Sequence, residues 1–316
     1  MAAPPPPSDP SPLLVSRRAL LRGATALGVL GTVGGLGLVA CGSDDESGSS
    51  GTDTTGGEAG GDLVLVSMLP EATAAAGSMV RVPLGLGDVN GTLVRDAPAS
   101  LTFSIEDVDG NEVVGGLDVP RHDAGLPRAY FPLEHPIDAP GFYTARSELD
   151  GTPLDAAFQV VDPGEVAIPQ PGDEIPALTT PTPTDPAGVD PICTAEPQCP
   201  LHEVELTSVL GTQPVALLIS TPAFCQTAIC GPVLDLFVAA REEFPEVAFI
   251  HAEVYASAAE VEADGLQAPL APLVDELGFA FEPDLLLIEA DGTLGGRLDV
   301  IYDEVELRQA LGALAT

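Results

Sequence analysis

The chain has 316 residues, of which 48 are Asp or Glu and 11 are Arg or Lys, so its formal net charge is −37. Phosphate groups would repel such a chain, which excludes nucleic acid as a partner. The acidity by itself indicates a well-solvated, soluble surface.

The first 40 residues have the pattern of an export signal. Arg17 and Arg18 precede an apolar, Gly-rich run that ends in Leu-Val-Ala directly before Cys41. This stretch resembles a twin-arginine signal peptide closed by a lipobox. The resemblance implies removal of residues 1–40 and lipidation of Cys41, which would anchor the protein on the extracytoplasmic face of the cell membrane. The alternative is an uncleaved anchor, since the run could just span a bilayer.

Residues 41–61 and 62–162 differ sharply in composition. The first segment is rich in Gly, Ser, Thr and acidic residues and should be a flexible tether. The second alternates apolar and polar positions in short runs separated by turn signals, which predicts an all-β domain, an antiparallel sandwich with an immunoglobulin-like outline. We predict no chemistry there, because His122 and His135 are isolated in loop-like sequence and should be solvated.

Residues 163–200 contain many prolines and should form a semi-rigid, extended spacer. Cys193 and Cys199 lie in this segment, and an exported chain can keep disulfides, so we expect a local disulfide between them. Cys199 is followed closely by His202, but the spacing matches no established zinc or copper motif. The sequence therefore predicts neither a metal nor a cofactor.

Residues 201–316 alternate between strand and helix patterns. The last helix should begin with Asp303 as N-cap and Glu306 in a variant of the capping box. The other predicted elements are a short strand at 204–206, a buried strand at 215–220, a helix at 226–244, a strand at 247–254, a helix at 270–277 and two strands at 284–289 and 297–301.

Two cysteines, Cys225 and Cys230, stand where the buried strand passes into the next helix. A helix N-terminus favours thiolate over thiol, so we expect Cys225 to have a lowered pKa. Residues five positions apart on an ideal α-helix have Cα atoms roughly 8.7 Å apart. A disulfide needs less than about 7 Å. Either Cys225 lies ahead of the helix or the first turn must unwind when the pair is oxidised.

The element order and the run Thr-Pro-Ala-Phe-Cys225 followed by Cys230-Gly-Pro resemble a bacterial thioredoxin-like family. The resemblance implies an α/β thioredoxin-like fold for residues 201–316 and thiol–disulfide exchange with protein or small-molecule thiols and disulfides. Cys225 would be the nucleophile and Cys230 the resolving thiol. Pro283, before a strand, would form a cis peptide bond and face the cysteines.

Departures from that family leave two alternatives open. Ile219 stands where thioredoxins carry a buried Asp that assists proton transfer, and the spacing is Cys-X4-Cys instead of Cys-X2-Cys. The same spacing occurs in Q-type peroxiredoxins, so a thiol peroxidase is the first alternative, although no arginine stands near Glu282 where the peroxidase arginine is expected. The second is a non-enzymatic binding lipoprotein in which both cysteine pairs are structural disulfides.

Overall fold

The computed structural model describes residues 63–225 and 227–316. All of them belong to one compact unit, Glu58–Thr316. The expected signal peptide, the lipidation site at Cys41 and the tether up to residue 61 lie outside the described residues.

The N-terminal part is all-β. Strands β1, β2 and β5 form one antiparallel sheet, and strands β3, β4, β6 and β7 form another in the order β4-β3-β6-β7. The strands are β1 (Val64–Ser67), β2 (Ser78–Gly87), β3 (Ser100–Asp107), β4 (Glu112–Pro120), β5 (Phe131–Ile137), β6 (Gly141–Leu149) and β7 (Thr152–Val160).

Both sheets contribute to one apolar core, as the alternating pattern predicts. Along β3, Leu101, Phe103 and Ile105 are buried. Phe103 meets Phe131 of the other sheet with ring centroids 6.2 Å apart. The predicted all-β domain is therefore present, although the sequence patterns had not indicated β1, β4 or β5.

The C-terminal part is α/β. Its four-stranded sheet has the order β11-β10-β8-β9, with β8 and β9 parallel and β10 antiparallel to both β8 and β11. This is the thioredoxin-like arrangement that the sequence predicted. The elements are α1 (Leu206–Val209), β8 (Val215–Ile219), α2 (Cys230–Ala240), β9 (Ala248–Ala252), α3 (Ala258–Asp264), α4 (Pro272–Leu277), β10 (Asp284–Ile288), β11 (Leu294–Asp299) and α5 (Glu304–Leu314).

Helices cover both faces of this sheet. Every residue of β8 and β10 is buried, which explains why β8 and residues 285–288 of β10 are continuous apolar runs without alternation. One core lies under α2 and α5 and the other under α4. Among the described residues, none of the helices has the length and apolar character needed to cross a membrane.

Two local predictions were wrong. In place of the short strand expected at 204–206, the chain bends and α1 begins at Leu206, whose backbone N–H donates to the hydroxyl of Thr180. The helix expected at 226–244 begins only at Cys230 and ends at Ala240, followed by a 3-10 turn, Arg241–Glu243. The helix α3 was not predicted.

Residues 163–200 are irregular, with a 3-10 turn at Pro163–Glu165 and further turns and bends, and they pack on the α/β part instead of forming an extended spacer. Ile168, Ile175 and Val189 are buried in its core, and Asp190 forms a β-bridge with Ser257. The segment packs on the domain because it has apolar residues between its prolines, whereas a flexible linker has few apolar side chains that could be buried.

A buried ion pair joins the two parts. Arg81 of β2 lies with its Nε 2.5 Å from Oε1 of Glu306 in α5. The hydroxyl of Tyr130 donates to the same carboxylate and accepts the backbone N–H of Asp303 at 2.9 Å. Asp303 is the predicted N-cap, since its side chain accepts the N–H of Glu306. Tyr130 takes the place that the Glu306 side chain would have in a capping box.

His122 is not solvated, contrary to the expectation. Its Nδ1 lies 2.9 Å from Oδ1 of Asp303. Its ring packs against that of Tyr130 at 5.5 Å between centroids. The hydrogen bond to Asp303 is the main reason why the pKa of His122 is raised.

Candidate functional site

Cys225 lies in a turn ahead of α2, and Cys230 is the first residue of that helix. Ala228 has a positive φ of 57°, which interrupts a helix that would start earlier. Pro232 fits in the first helical turn because backbone donors there have no intrahelical partner. Of the two arrangements allowed by the helix geometry, the structure has Cys225 ahead of the helix.

The sulfur of Cys225 acts as an acceptor at the helix start. It lies 3.3 Å from the backbone nitrogen of Cys230 and 3.4 Å from the hydroxyl of Thr227. The hydrogen bond from the Cys230 thiol, helped by Thr227 and by backbone N–H groups, outweighs burial and lowers the pKa of Cys225 to about 5. Cys225 is half-buried, so a partner can reach it. The thiol has the properties of a nucleophile.

Cys230 has the opposite character. It is fully buried, and its hydrogen bond to Cys225 together with burial raises the pKa of its thiol. Both cysteines are free thiols. One member of the pair is therefore ionised and accessible, while the other is protonated and shielded.

Glu282 completes this site. Its Oε2 accepts the backbone N–H of Thr221 at 2.8 Å and lies 3.5 Å from Sγ of Cys230. Burial is the main reason why the pKa of Glu282 is raised to about 8, and the negative charge of Cys225 is the second reason. A carboxylate of this kind can take a proton from Cys230.

Pro283 follows Glu282, and the peptide bond between them is cis. The carbonyl oxygen of Pro283 accepts the backbone N–H of Val300 at 2.7 Å, so it is engaged within the chain. Glu282 lines the cleft beside Cys225, whereas Pro283 does not. The substrate-facing role of Pro283 stays a prediction.

The cleft has a volume of about 650 Å³ and is mostly apolar. Cys225, Thr227 and Glu282 are its reactive and polar end. Met68 and Pro70 from the all-β part form one side. The remaining lining residues come from the α/β part: Val254, Tyr255, Leu266, Ala268, Leu270, Phe279, Ala280, Phe281 and Val300.

A second cluster gathers side chains that the sequence analysis had treated separately. Cys193, Cys199, His202 and His251 each offer one sulfur or nitrogen atom, and these four atoms lie within 4.8 Å of one another. The structure keeps Cys193 and Cys199 as free thiols, in contrast to the disulfide expected between them.

Hydrogen bonds run from this second cluster toward the first. His251 has its Nε2 3.0 Å from Oγ of Ser220, the residue before Thr221. The backbone N–H of Thr221 in turn binds Glu282. The hydroxyl of Thr194, next to Cys193, accepts the N–H of Ala223 at 3.2 Å. The loop that carries Cys225 is therefore hydrogen-bonded to His251 of the second cluster and to Thr194 beside it.

Sequence reasoning missed Glu282, and it interpreted His251, which ends an apolar run, as a satisfied strand-end histidine without a catalytic role. Each acts on a group far away in the sequence: Glu282 meets Cys230, 52 residues earlier, and His251 meets Cys199, also 52 residues earlier. The sequence held one usable signal, since Glu282 directly precedes the proline that the resemblance placed opposite the cysteines.

Comparisons with known proteins give likenesses of structure alone. No protein-family model matches the sequence, and no curated protein matches it either. Among solved structures, a protein assigned as thiol:disulfide interchange protein DsbE of Chlorobium tepidum has 14% identity and a TM-score of 0.33, over 47% of this chain and 99% of that one. A second thiol:disulfide interchange protein of the thioredoxin family, from Chlorobium tepidum TLS, has 11% identity and a TM-score of 0.29, over 46% and 99%.

The PKD domain of the human VPS10 domain-containing receptor SorCS2 also matches, with 15% identity and a TM-score of 0.17, over 39% of this chain and 97% of that domain. Likenesses with TM-scores this low carry no argument about activity.

Proposed function

We propose that this protein exchanges disulfides with protein or small-molecule thiols through Cys225 and Cys230. The observation that carries the proposal is the unequal state of the two thiols. Cys225 has a pKa of about 5 and lines the cleft, whereas Cys230 is buried beside Glu282 and its pKa is raised. A nucleophile and a resolving thiol require this division.

The exchange begins when the Cys225 thiolate attacks one sulfur of a substrate disulfide. A bond forms between Cys225 and that sulfur, and the other substrate sulfur leaves as a thiolate. Glu282 then takes the proton of Cys230, whose thiolate attacks Sγ of Cys225. The products are a Cys225–Cys230 disulfide and a fully reduced substrate, and the reverse sequence oxidises a dithiol.

The charge of Cys225 couples the protonation state of Glu282 to the step of the reaction. In the resting protein the negative charge of Cys225 helps to keep the pKa of Glu282 at about 8. Formation of the mixed disulfide removes that charge and so lowers the pKa of Glu282. Glu282 can then give its proton to the leaving substrate thiolate, and the resulting carboxylate is the acceptor for the proton of Cys230. Glu282 would thereby replace the buried Asp that thioredoxins have in the position of Ile219.

The cleft favours partners with apolar groups next to the reacting sulfur. Its walls include Phe279, Phe281 and Leu270, and Glu282 is half-buried at the reactive end. A peptide segment with apolar residues around a cysteine would bury those groups in the cleft. Small thiols would react without this gain.

The reaction would take place outside the cytoplasm. We propose that lipidation at Cys41 holds the protein on the extracytoplasmic face of the cell membrane and that nucleic acid is not a partner. The export pattern of residues 1–40 and the net charge of −37 support this proposal. We propose that residues 62–162 form an immunoglobulin-like β-sandwich, which would be the domain next to the membrane tether in this anchored protein.

A glutathione redox series tests the function. The full mature chain is equilibrated at graded ratios of reduced to oxidised glutathione, free thiols are alkylated, and the states of Cys225 and Cys230 are read by peptide mass. We expect a reversible transition of this pair together with turnover of a peptide disulfide, and Cys225→Ser should abolish the turnover. A pair that stays oxidised throughout would support the structural disulfide, and fast consumption of hydrogen peroxide would favour the peroxidase.

A further inference from the structure

The second cluster has the dimensions of a tetrahedral metal site. With Zn–S bonds of about 2.3 Å and Zn–N bonds of about 2.0 to 2.1 Å, sulfur and nitrogen ligands lie roughly 3.6 Å apart in a tetrahedron. Sγ of Cys199 lies 3.2 Å from Nε2 of His202 and 3.4 Å from Nδ1 of His251. Sγ of Cys193 lies 3.8 Å from the same Nδ1. All three separations are close to the tetrahedral edge.

The surroundings of His251 aim its Nδ1 at the two sulfurs. Nε2 lies 3.2 Å from the carbonyl oxygen of Ser220, which can only accept, so Nε2 carries the proton. Nδ1 is then left with a free lone pair on the side of Cys193 and Cys199. Metal-binding histidines in proteins typically have this arrangement, with the far ring nitrogen donating to a carbonyl or carboxylate.

The site is also closed. Cys193, His202 and His251 are buried, with exposed fractions of 2%, 4% and 0%, and Cys199 is half-buried. Four protein ligands leave no position for water or substrate, which is typical of a structural zinc site and not of a catalytic one. Two thiolates also neutralise the charge of a divalent cation, so the ion and its four ligands would together carry no net charge.

A structural disulfide between Cys193 and Cys199 accounts for less. The disulfide would use the two sulfur atoms. It would give no role to Nε2 of His202 and Nδ1 of His251, which both point at those sulfur atoms. A buried imidazole nitrogen without a hydrogen-bond or metal partner is unfavourable. A metal ion uses all four side chains at once.

We propose that Cys193, Cys199, His202 and His251 bind one Zn²⁺ ion as a structural site. Binding converts two thiols into thiolates and releases two protons to solvent, with no change of oxidation state. The ion would fix residues 193–202 to strand β9. Through Ser220 it would also steady the start of the loop that carries Cys225.

The test uses the full mature chain with Cys225→Ser and Cys230→Ser. This background removes the redox thiols, so its result does not depend on the proposed exchange reaction. We expect about one zinc ion per chain by elemental analysis, as four protein ligands require. Replacement by Co²⁺ should give the intense visible absorption and the sulfur charge-transfer band of a tetrahedral thiolate site. Removal of zinc by a chelator should lower the unfolding temperature.

Cys193→Ser and His202→Ala in this background should lose the zinc and the Co²⁺ spectrum, whereas His135→Ala, a histidine of β5 outside the cluster, should keep both. If the ligand variants do not fold, the Co²⁺ spectrum of the background protein decides the question. A chain that is lighter by two hydrogen atoms, with a Cys193–Cys199 disulfide and no metal, would overturn the proposal. Retention of Cu⁺ in place of Zn²⁺ would overturn the choice of zinc.

Discussion

Oε2 of Glu282 lies 3.5 Å from Sγ of Cys230, so a buried carboxylate touches the thiol that has to lose its proton during exchange. The two side chains come from neighbouring parts of the fold, since Cys230 opens α2 and Glu282 directly precedes β10. The two cysteines therefore depend on different groups. Glu282 is placed to accept the proton of Cys230, whereas hydrogen bonds at the start of α2 stabilise the thiolate of Cys225.

The first prediction concerns Glu282→Gln. Loss of the proton acceptor should slow the resolution of the mixed disulfide, on the order of 10²-fold. Attack by Cys225 should be much less affected, so the mixed disulfide should accumulate. Stopped-flow mixing with a peptide disulfide, followed by acid quench and mass analysis, measures both steps. Glu262→Gln, an exposed residue of α3, is the matched control, and equal slowing of both steps in Glu282→Gln would contradict the assignment.

The second prediction concerns the ionisation of Cys225. Its pKa of about 5 means that the thiolate is the main form above that pH, so the rate of alkylation should rise with a midpoint near 5 and level off well below neutrality. An ordinary thiol has a midpoint near 8.5. Thr227→Val removes one of the hydrogen bonds and should move the midpoint upward, while Thr102→Val should not. Faster labelling of Cys230 than of Cys225 would refute the division of roles.

The third prediction concerns the buried ion pair of Arg81 and Glu306. Arg81→Met leaves a buried carboxylate without its positively charged partner, which should lower the free energy of unfolding by about 3 to 5 kcal/mol. Arg121→Met removes a more exposed ion pair with Asp123 and should cost less than about 1 kcal/mol. Urea unfolding of the full chain measures both. Equal losses of unfolding free energy in the two variants would mean that the Arg81–Glu306 pair does not stabilise the contact between the all-β and α/β parts.

The fourth prediction is a pH dependence that comes from His122. The hydrogen bond to Asp303 raises the pKa of His122, with Glu306 acting in the same direction and burial and Arg81 against it. A raised pKa stabilises the folded state below the unfolded value of about 6.5 and loses that effect as the pH rises through the folded value. The stability difference between the natural chain and His122→Gln should therefore shrink from pH 5.5 to 8.5 (about one to two units around the unfolded pKa). A difference that grows with pH would reverse the sign and refute the interpretation.

The fifth prediction concerns export. If Cys41 is lipidated, Cys41→Ala should give unprocessed precursor or released protein, whereas the natural chain should fractionate with membranes. The mass of the N-terminal peptide identifies the modification. Unchanged processing and membrane retention of Cys41→Ala would refute the lipid anchor.

Strands were predictable where burial produced a clear pattern. Val80, Val82 and Leu84 recur at every second position of β2 and are buried, and β8 is apolar throughout because both of its faces are covered. The helix α3 has only Val261 buried, so it has no apolar period. Its capping signal was present in the sequence, since the side chain of Ser257 accepts the N–H of Glu260.

The candidate site was predictable only in part. Cys225 and Cys230 could be found because a strand, two thiols and a helix follow each other directly in the sequence. Glu282 and His251 reach their partners only after the sheet has formed, with β10 and β9 on either side of β8. Contacts between residues so far apart in the sequence leave no local spacing pattern. For this reason Cys199 and His202, taken without His251, matched no metal motif.

Met68 and Pro70 come from the all-β part and yet form a wall of the cleft beside Cys225. The boundary that separates the two folds in the sequence is therefore not a boundary of the reaction site. A fragment cut at residue 201 would keep both redox cysteines but lose this wall and two of the four proposed zinc ligands. Fusion of the thioredoxin-like half to another protein should therefore change which substrates react. A screen for substrate specificity needs the chain from residue 63 onward.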